Sequence, residues 1–587
     1  MGFSGTDAGG FHWEGFSSGA PSQKPPTPPK PKKPRKPIGN AFTRTLINIA
    51  VTVVFALVYF YISLPALNLH AEEFYGFVLL LCVVYVVSAV ITSGFQAESV
   101  KGYFQFVKKQ CAIPAIVAVA MVAVALVGSL VGAVIFRAND YSKLLTMETG
   151  DFATEVQEIT YNQIPMLDKD SAERLGDRKL GELSDMVSQF EVNEDYTQIN
   201  YNDRPVRVAT LRYADLIKWF TNRAEGLPAY LIVDMVTQNV EMVRLDEGIR
   251  YTTAEHFGRN LQRHLRFNFP TYIFDTPAFE IDEEGIPYWV CSRIVKTIGL
   301  FGGTDIDGAV LVNAITGESQ YHKDVPSWVD RVYSSDLIME QYDFYGQYHN
   351  GFLNSMLGQK DVTLTTDGYN YIAINDDVYM YTGVTSVTSD QSNIGFILTN
   401  QRTKETHFYR VAGATEYSAM ESAQSQVQQM RYDATFPLLL NIADHPTYFM
   451  ALKGADGLVK MYAMVNVQQY QIVETGQTVA ECEANYRQAL SNAGLIGAGQ
   501  VVVPNGDTHT QQGVVEEIRT AVIDGNTHFY VRMENGLGYL DFSADEVPRA
   551  VLLDRGDVIY YDFVLDGAEF PANGIVPAKG FRFEGET

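Results

Sequence analysis

Residues 112–136 read AIPAIVAVAMVAVALVGSLVGAVIF, and no charged side chain interrupts the stretch. Two earlier stretches are equally apolar: residues 45–64 (TLINIAVTVVFALVYFYISL) and residues 74–94 (FYGFVLLLCVVYVVSAVITSG). Crossing a hydrocarbon core of about 30 Å takes roughly 20 apolar helical residues. A buried helix of a soluble domain keeps a polar stripe, and these stretches have none. The sequence therefore predicts three transmembrane helices within residues 43–137.

The basic residues around these stretches predict their direction. Six Lys and Arg residues lie within residues 24–36, and the loop 95–111 carries three Lys against one Glu. The loop 65–73 holds two Glu as its only charges. Because basic flanks stay in the cytoplasm, we expect a cytoplasmic N-terminus and an extracytoplasmic C-terminal region. The predicted localisation is a multi-pass protein of the cell membrane, with the lipid bilayer as its first partner.

Residues 1–42 precede the first apolar stretch and have no hydrophobic period. They are rich in Gly and Ser, then in Pro and Lys. This composition is typical of a disordered segment with polyproline character. The sequence leaves two roles open for this predicted cytoplasmic tail: a topology signal alone, or a partner-binding segment.

The region after the third stretch is strongly acidic. Of the 44 basic and 69 acidic residues in the chain, residues 141–587 hold 33 and 63, a balance of −30. Such a surface is repelled by phosphate backbones, so we expect no nucleic acid partner. This region has only two cysteines, Cys291 and Cys482, and the chain has no Asn-x-Ser/Thr sequon. Both observations favour a bacterial membrane, and they leave open whether the two cysteines pair.

A weak internal repeat occurs in the acidic region. Each copy has an apolar strand, an Asp or Asn, two residues, a Thr and a second strand. Asx and Thr side chains bond the backbone of tight turns, so each copy is interpreted as a hairpin. The turn-forming residues are Asp234 and Thr237, Asn313 and Thr316, and Asn400 and Thr403.

The segment around the second copy, residues 312–318 (VNAITGE), follows a predicted helix and several strands. A helix followed by antiparallel strands, ending in apolar residues, Asp, two residues and Thr-Gly-Glu, resembles the PepSY fold. The resemblance covers residues 168–410 in two or three copies, with Asn in place of the usual Asp in two of them. It implies extracytoplasmic, non-catalytic modules that bind or restrain other envelope proteins.

About 450 residues after the spans are too many for one domain. The predicted fold class is membrane-anchored α+β, with several small antiparallel α+β domains and a C-terminal barrel. Residues 510–587 have three strands, a short helical stretch and two strands, which is the order of an OB-like barrel of structural or protein-binding type. The α+β modules are expected at residues 138–250 and 251–330, both PepSY-like, and at 331–432 and 433–500.

The sequence contains few signs of chemistry. Zinc-helix, phosphate-loop and serine-nucleophile motifs are missing, so we expect no cofactor and assign no catalytic residue. Asp305 and Asp307 precede a glycine at alternate positions and are candidate calcium ligands, although glycines between two strands usually mark a turn. Gly128 and Gly132 are four apart in the third span and predict close helix packing, within the chain or in a homo-oligomer.

Aromatic residues are dense between residues 328 and 352, where they fit either a ligand platform or an ordinary core. These features favour a membrane-anchored, non-catalytic binding or scaffold protein of the bacterial cell envelope, with an envelope protein as its partner. Two alternatives stay open. One is an extracytoplasmic enzyme whose site is assembled from distant residues, and the other is an accessory subunit of a membrane complex.

Overall fold

A computed structural model describes residues 37–95, 100–156, 164–374, 376–387, 389–497, 508–523, 526–534, 538–544, 547–564 and 574–583. Most of the predicted disordered tail, up to residue 36, lies outside these residues. The chain divides into two compact bodies. Of the described residues, one body contains those up to residue 60 and those within 78–121; the other contains residues 61–77 and those from residue 122 onward.

Three helices are long and apolar enough to cross a membrane: α1 (Ala41–Ser63), α2 (Glu72–Ser93) and α4 (Ala112–Val131). This confirms that the three predicted apolar helices form. A further helix, α3 (Val100–Gln110), lies between α2 and α4.

A polar contact joins α1 to α2. The Asn48 side-chain oxygen accepts hydrogen bonds from Ser88 Oγ at 2.8 Å and from Thr92 Oγ1 at 3.0 Å. A polar side chain in hydrocarbon needs partners of this kind, so these three residues fix how the two helices pair.

The third apolar helix is shorter than predicted. It ends at Val131 rather than at residue 136, and a new helix, α5 (Val134–Tyr141), begins after an extended Ala133. The break is stabilised because Tyr141 Oη donates a 2.8 Å hydrogen bond to the Gly132 carbonyl, which has lost its helical partner.

After α5, β1 (Glu148–Gly150) and α6 (Phe152–Glu155) lead into four modules, each a helix followed by an antiparallel sheet. The first has α7 (Lys169–Gly181), β2 (Phe190–Val192), β3 (Thr197–Tyr201), β4 (Arg204–Tyr213), α8 (Leu216–Asn222), β5 (Leu227–Asp234) and β6 (Val240–Ile249). The second has α9 (Leu261–Asn268), β7 (Ile273–Phe274), β8 (Ala278–Ile281), β9 (Pro287–Ile298), β10 (Gly302–Asn313) and β11 (Ser319–His322).

The third module has α10 (Ser335–Tyr348), β12 (Thr363–Thr365), β13 (Asn370–Ile374), β14 (Asp377–Ser386), β15 (Ser389–Asn400) and β16 (Thr406–Tyr409). Its sheet is extended by β1 and by β17 (Gly413–Ala414). The fourth module has α11 (Glu416–Gln426), β18 (Asp433–Ala434), β19 (Leu438–Ile442), β20 (His445–Lys453), β21 (Val459–Asn466), β22 (Val473–Gly476) and α12 (Val479–Asn492).

The four sheets share one order and one register. Two short strands pair with the same edge of a long strand, which pairs with a second long strand and then a last one. The last residue of the second long strand always lies opposite the same position near the start of the first. The pairs are Asp234 with Val206, Asn313 with Tyr288, Asn400 with Tyr379, and Asn466 with Thr447.

Modules pack in pairs. The first and second share a core in which the rings of Tyr230 and Phe279 lie 6.1 Å apart, and Phe279 packs on the fully buried Trp289 at 5.4 Å. The third and fourth share another core, where Phe396 meets Tyr448 edge-on at 5.9 Å. Burial of large rings is the main stabilising term at these contacts.

The C-terminal strands form a closed barrel in the order β23-β24-β25-β27-β26. They are β23 (Thr508–Ile523), β24 (Asn526–Met533), β25 (Tyr539–Ser543), β26 (Val558–Val564) and β27 (Ile575–Phe583). The pairing of β25 with β27 is parallel and the others are antiparallel. A short 3-10 helix, Pro548–Leu552, connects β25 to β26.

Candidate functional site

The residues of the sequence repeat lie in three turns with matching hydrogen bonds. The side-chain oxygens of Asp234, Asn313 and Asn400 accept from the backbone N–H groups two and three residues further on, at 2.8–3.0 Å. The hydroxyls of Thr237, Thr316 and Thr403 each accept from the backbone N–H two residues on, at 3.2–3.4 Å. All six side chains therefore serve the turn backbone.

Sequence reasoning missed a fourth turn of this kind. Asn466 accepts from the backbone N–H groups of Gln468 and Gln469 at 3.1 and 2.8 Å. Gln469 stands where the other copies have Thr, and the loop is one residue longer, which hid the copy. The sequence did contain a usable signal, a proline as the first or second residue of the first long strand, as at Pro287 and Pro446. The carbonyl of this proline accepts a hydrogen bond from the backbone N–H of the residue that follows the Asx residue.

Buried carboxylates lie where the first three modules meet. The Glu280 carboxylate accepts from the backbone N–H groups of Asp330 at 2.9 Å and Arg331 at 3.0 Å. The Asp330 carboxylate in turn accepts from the backbone N–H of Asn200 at 2.7 Å, and Asn200 Nδ2 donates to Asp376 at 2.9 Å. This set, which we name the carboxylate joint, links β3, β8 and the start of β14.

Burial raises the pKa of Glu280 to about 7, although the two backbone donors oppose the shift. Burial and then the charge of Glu280 raise the pKa of Asp330. Two adjacent carboxylates in a low dielectric resist double ionisation, so the joint is sensitive to pH. Glu280 and Asp330 are 0% and 1% exposed, and no substrate reaches them unless the modules separate.

A second joint connects the first and fourth modules by an ion pair. Lys453 Nζ lies 2.7 Å from Asp168 Oδ2, and Asp168 also accepts from the Ser171 backbone N–H at 3.0 Å as the N-cap of α7. Burial alone raises the pKa of Asp168, but the hydrogen bonds from Lys453 and Ser171 outweigh it and lower that pKa. The two joints therefore respond to acid in opposite directions.

The two candidate calcium ligands do not converge. Asp305 Oδ1 lies 2.7 Å from Lys404 Nζ, and Asp307 lies 3.5 Å from the Arg293 guanidinium. Across the described part of the chain, no three His, Cys, Asp or Glu side chains are grouped to hold a metal ion. Each of the two carboxylates is balanced by its own cation.

A hairpin turn packs against the two glycines of the third span. A Cβ atom on Gly128 would lie 2.5 Å from Leu300 Cδ2, and one on Gly299 would lie 2.7 Å from the Gly132 Cα. The turn between β9 and β10 therefore packs directly on α4 and on the residue that follows it. The sequence pattern alone predicts a helix contact for this spacing and does not indicate a turn.

The chain between α1 and α2 is hydrogen-bonded to the second module. Arg266 Nε donates to the Leu64 carbonyl at 2.9 Å, and the Leu67 backbone N–H donates to Pro270 at 2.8 Å. His70 Nδ1 lies 2.8 Å from the Leu300 carbonyl. These contacts place α9 and the turn after β9 at the ends of the apolar helices.

Cys291 and Cys482 are unpaired and buried in different cores. Burial raises the pKa of both thiols, so neither supplies a thiolate nucleophile at neutral pH. An apolar cavity of about 10 Å³ lies in the third module between Ile372 and Tyr381. It has room for one water at most.

No family model matches the chain, and no curated protein matches it. Among solved structures, a levansucrase mutant from B. megaterium is 10% identical, over 74% of this chain and 96% of that chain, with a TM-score of 0.17. A TM-score of that size identifies no shared fold, and the functional argument rests on the geometry.

Proposed function

We propose that the chain is a membrane-anchored, non-catalytic binding or scaffold protein of the bacterial cell envelope. Its N-terminus faces the cytoplasm and its modules lie outside, as the basic flanks of the spans indicate. The observation that carries the proposal is where three carboxylates with a shifted pKa lie. Glu280, Asp330 and Asp168 join modules to one another, so their chemistry serves assembly of the array.

The module topology supports the PepSY-like interpretation, since each module is a helix followed by an antiparallel sheet with an Asx turn. The barrel supports the OB-like interpretation, because its strand order and the parallel β25–β27 pair match the Greek-key arrangement of that fold. Arg519 and Arg532 on this barrel both lie in ion pairs with Glu517, which favours a protein partner over nucleic acid.

In-cell crosslinking of the full chain tests the proposal. A photo-crosslinking residue is placed at Tyr417 and, separately, at Tyr470, which are exposed on the fourth module and in its Asx turn. The matched control is Lys108, exposed in α3 on the predicted cytoplasmic side. We expect Tyr417 or Tyr470 to yield a discrete adduct with an envelope protein that Lys108 does not yield.

An enzyme gives a different outcome. Turnover of an envelope substrate by the purified full chain, lost in Asp330→Asn and retained in the exposed control Asp324→Asn, would overturn the non-catalytic proposal. An adduct from all three positions with one integral membrane protein would instead indicate an accessory subunit of a membrane complex.

The orientation has its own test. Asp246→Cys lies on an exposed part of β6, and Lys108→Cys lies in α3. In intact cells, a membrane-impermeant maleimide should label the first and not the second. The reverse pattern would overturn the proposed direction while leaving the scaffold proposal in place.

A further inference from the structure

We propose that the region outside the spans also contacts the lipid bilayer directly, through two apolar patches beside the ends of the membrane helices. Both patches consist of side chains that are 61–83% exposed. The first-span patch is Leu216, Ile217, Phe220 and Phe257, and the third-span patch is Leu353, Met356 and Leu357. This inference requires only that the apolar helices cross a membrane, and it is independent of the scaffold function.

The first-span patch begins at the end of α1. The Arg263 guanidinium donates to the Phe257 carbonyl at 2.6 Å and to the Tyr61 carbonyl at 3.2 Å, and it lies 4.4 Å over the Tyr61 ring. Tyr61 is in the last turn of α1. One side chain thus ties Phe257 to the point where the first span leaves the membrane.

The rest of this patch is held outward by a buried anchor. Trp219 in α8 is buried and donates from Nε1 to Glu255 at 2.6 Å, with its ring 5.7 Å from that of Phe257. Because Trp219 faces inward, its helical neighbours Ile217 and Phe220 face away from the module. Exposed apolar clusters of this kind mark an interaction surface.

The charge around the first-span patch suits a lipid surface. Residues 215–225 and 255–266 hold five Lys and Arg against three Asp and Glu, within a region of 33 basic and 63 acidic residues. Arg266 is buried and Arg263 is bonded to the end of α1, which leaves Lys218, Arg223 and Arg259; of the acidic groups, Asp215 caps α8 and Glu255 binds Trp219, which leaves Glu225. Basic side chains beside apolar ones are typical of an interfacial segment on anionic lipid.

The third-span patch follows α10, which runs toward the membrane along β10. Tyr333, just before the helix, donates to the Ile306 carbonyl, and Gln341 donates to the Thr304 carbonyl at 2.7 Å. Residue numbers therefore rise along α10 while they fall along β10. The β10 strand starts beside Leu300, the residue that packs on Gly128 of α4.

A column of aromatic rings extends along α10 and shows how far this helix continues beyond Tyr141. Phe344 lies 4.7 Å from the ring of Tyr141, whose hydroxyl bonds the Gly132 carbonyl at the end of α4. From Phe344 the column continues to Tyr348 and then Phe352 in two steps of 6.2 Å. Gly128 lies one helical turn, roughly 6 Å, inside Gly132. The column is therefore long enough to reach the level of Gly128 before Leu353 begins the patch.

The proposed depth of these side chains indicates that lipid covers the two patches. Leu300 already contacts an apolar helix long enough to span a membrane, and α10 runs in the direction of Leu300, so we expect the third-span patch at a level where hydrocarbon surrounds the protein. Lys360, exposed after this patch, is placed to reach the headgroups. A bilayer covers both patches at once, because the first is bonded to the end of α1 and the second follows a helix that runs toward the end of α4.

Spin-label accessibility of the full chain in liposomes tests this. The liposomes contain phosphatidylethanolamine and phosphatidylglycerol at about three to one. Labels are attached to Phe257→Cys and Leu357→Cys with Cys82 replaced by Ala; the other native thiols are buried. The matched control is Ile286→Cys, an exposed apolar residue at the opposite end of β9, about 40 Å from Gly299 along the twelve-residue strand.

We expect labels at 257 and 357 to collide more often with oxygen, which partitions into lipid, than with a water-soluble nickel complex. The label at 286 should show the reverse. If either 257 or 357 behaves like 286, the two-patch proposal is overturned. Ile217→Cys replaces Phe257→Cys if that variant does not fold, since Ile217 is exposed and has no unusual backbone angle.

Discussion

The second and fourth modules have separate sheets of the same topology, but the turn between the two long strands makes different contacts in each. In the second, the turn between β9 and β10 packs Gly299 on the backbone of Gly132. In the fourth, the turn between β20 and β21 packs Gly457 on the side chain of Arg174 in α7. In the first module the same connection carries α8 and, on it, three of the four residues of the first-span patch, all but Phe257. The sheet fixes where this connection emerges, and its residues decide what it binds.

Gly299 packs on backbone atoms and Gly457 packs on a flexible side chain. Replacing Gly299 is therefore expected to give the largest loss of stability. Both have positive φ, +66° at Gly299 and +73° at Gly457, so alanine costs about 1–2 kcal/mol at either position. At Gly299 the added Cβ also meets backbone atoms of Gly132, whereas at Gly457 it meets a flexible Arg174 side chain. We expect Gly299→Ala to cost about 2–4 kcal/mol in total.

The measurement is the unfolding of the full chain in nanodiscs, with Gly457→Ala as the matched variant. Equal destabilisation by the two substitutions would contradict the view that the second-module turn is the rigid attachment to the membrane helix.

The two joints between modules should respond oppositely to pH. The pKa of Glu280 is raised in the folded state, so its contribution is fully present below about pH 4.3, the pKa expected for an unfolded Glu. It is lost as pH rises through the folded value of about 7. Asp330→Asn removes the neighbouring charge and keeps an oxygen to accept from Asn200. We expect it to stabilise the protein at pH 8, on the order of 2 kcal/mol, with the gain vanishing at pH 4.

Denaturant unfolding at pH 4, 6 and 8 measures this difference, and the exposed Asp324→Asn is the control. A variant that is less stable than the parent at pH 8 would show that the joint depends on an ionised Asp330.

Chemical pattern explains what the sequence predicted and what it missed. The apolar helices follow from composition alone, with the first two differing from the predicted bounds by a few residues; the third ends five residues early, at Val131, because hydropathy does not detect the extended Ala133. The Asx turns follow from local hydrogen bonding. The carboxylate joint was not predictable, because Glu280, Asp330 and Asn200 are separated by 50 residues or more and meet only through module packing.

The Asx turns differ in how much each side chain does. Asn313 serves only its turn in the described contacts, while Asn400 Nδ2 also donates to Asp377 at 2.7 Å. Asn313→Ala should cost about 1 kcal/mol for lost hydrogen bonds, and Asn400→Ala somewhat more. Thermal unfolding of the two variants in parallel ranks them. If Asn313→Ala were the more damaging, the contact to Asp377 would contribute nothing to stability.

The smallest effect is expected at the joint between the first and fourth modules. Lys453→Met removes the ion pair with Asp168 and keeps the aliphatic stem. Because that pair is partly exposed, the cost at pH 7 is less than about 1 kcal/mol. The pKa of Asp168 is lowered in the folded state, so its stabilising contribution is fully present above its unfolded pKa of about 3.9 and is lost as pH falls through the lower folded-state pKa. Parent and Lys453→Met should therefore differ slightly at pH 7 and converge only as pH falls through that lowered pKa, the opposite of the carboxylate joint. Lys179→Met, which removes an exposed pair with Glu182 inside the first module, is the control for a charge lost without a joint. A difference between parent and Lys453→Met that grew on acidification would show that Lys453 acts through packing and not through the charge of Asp168.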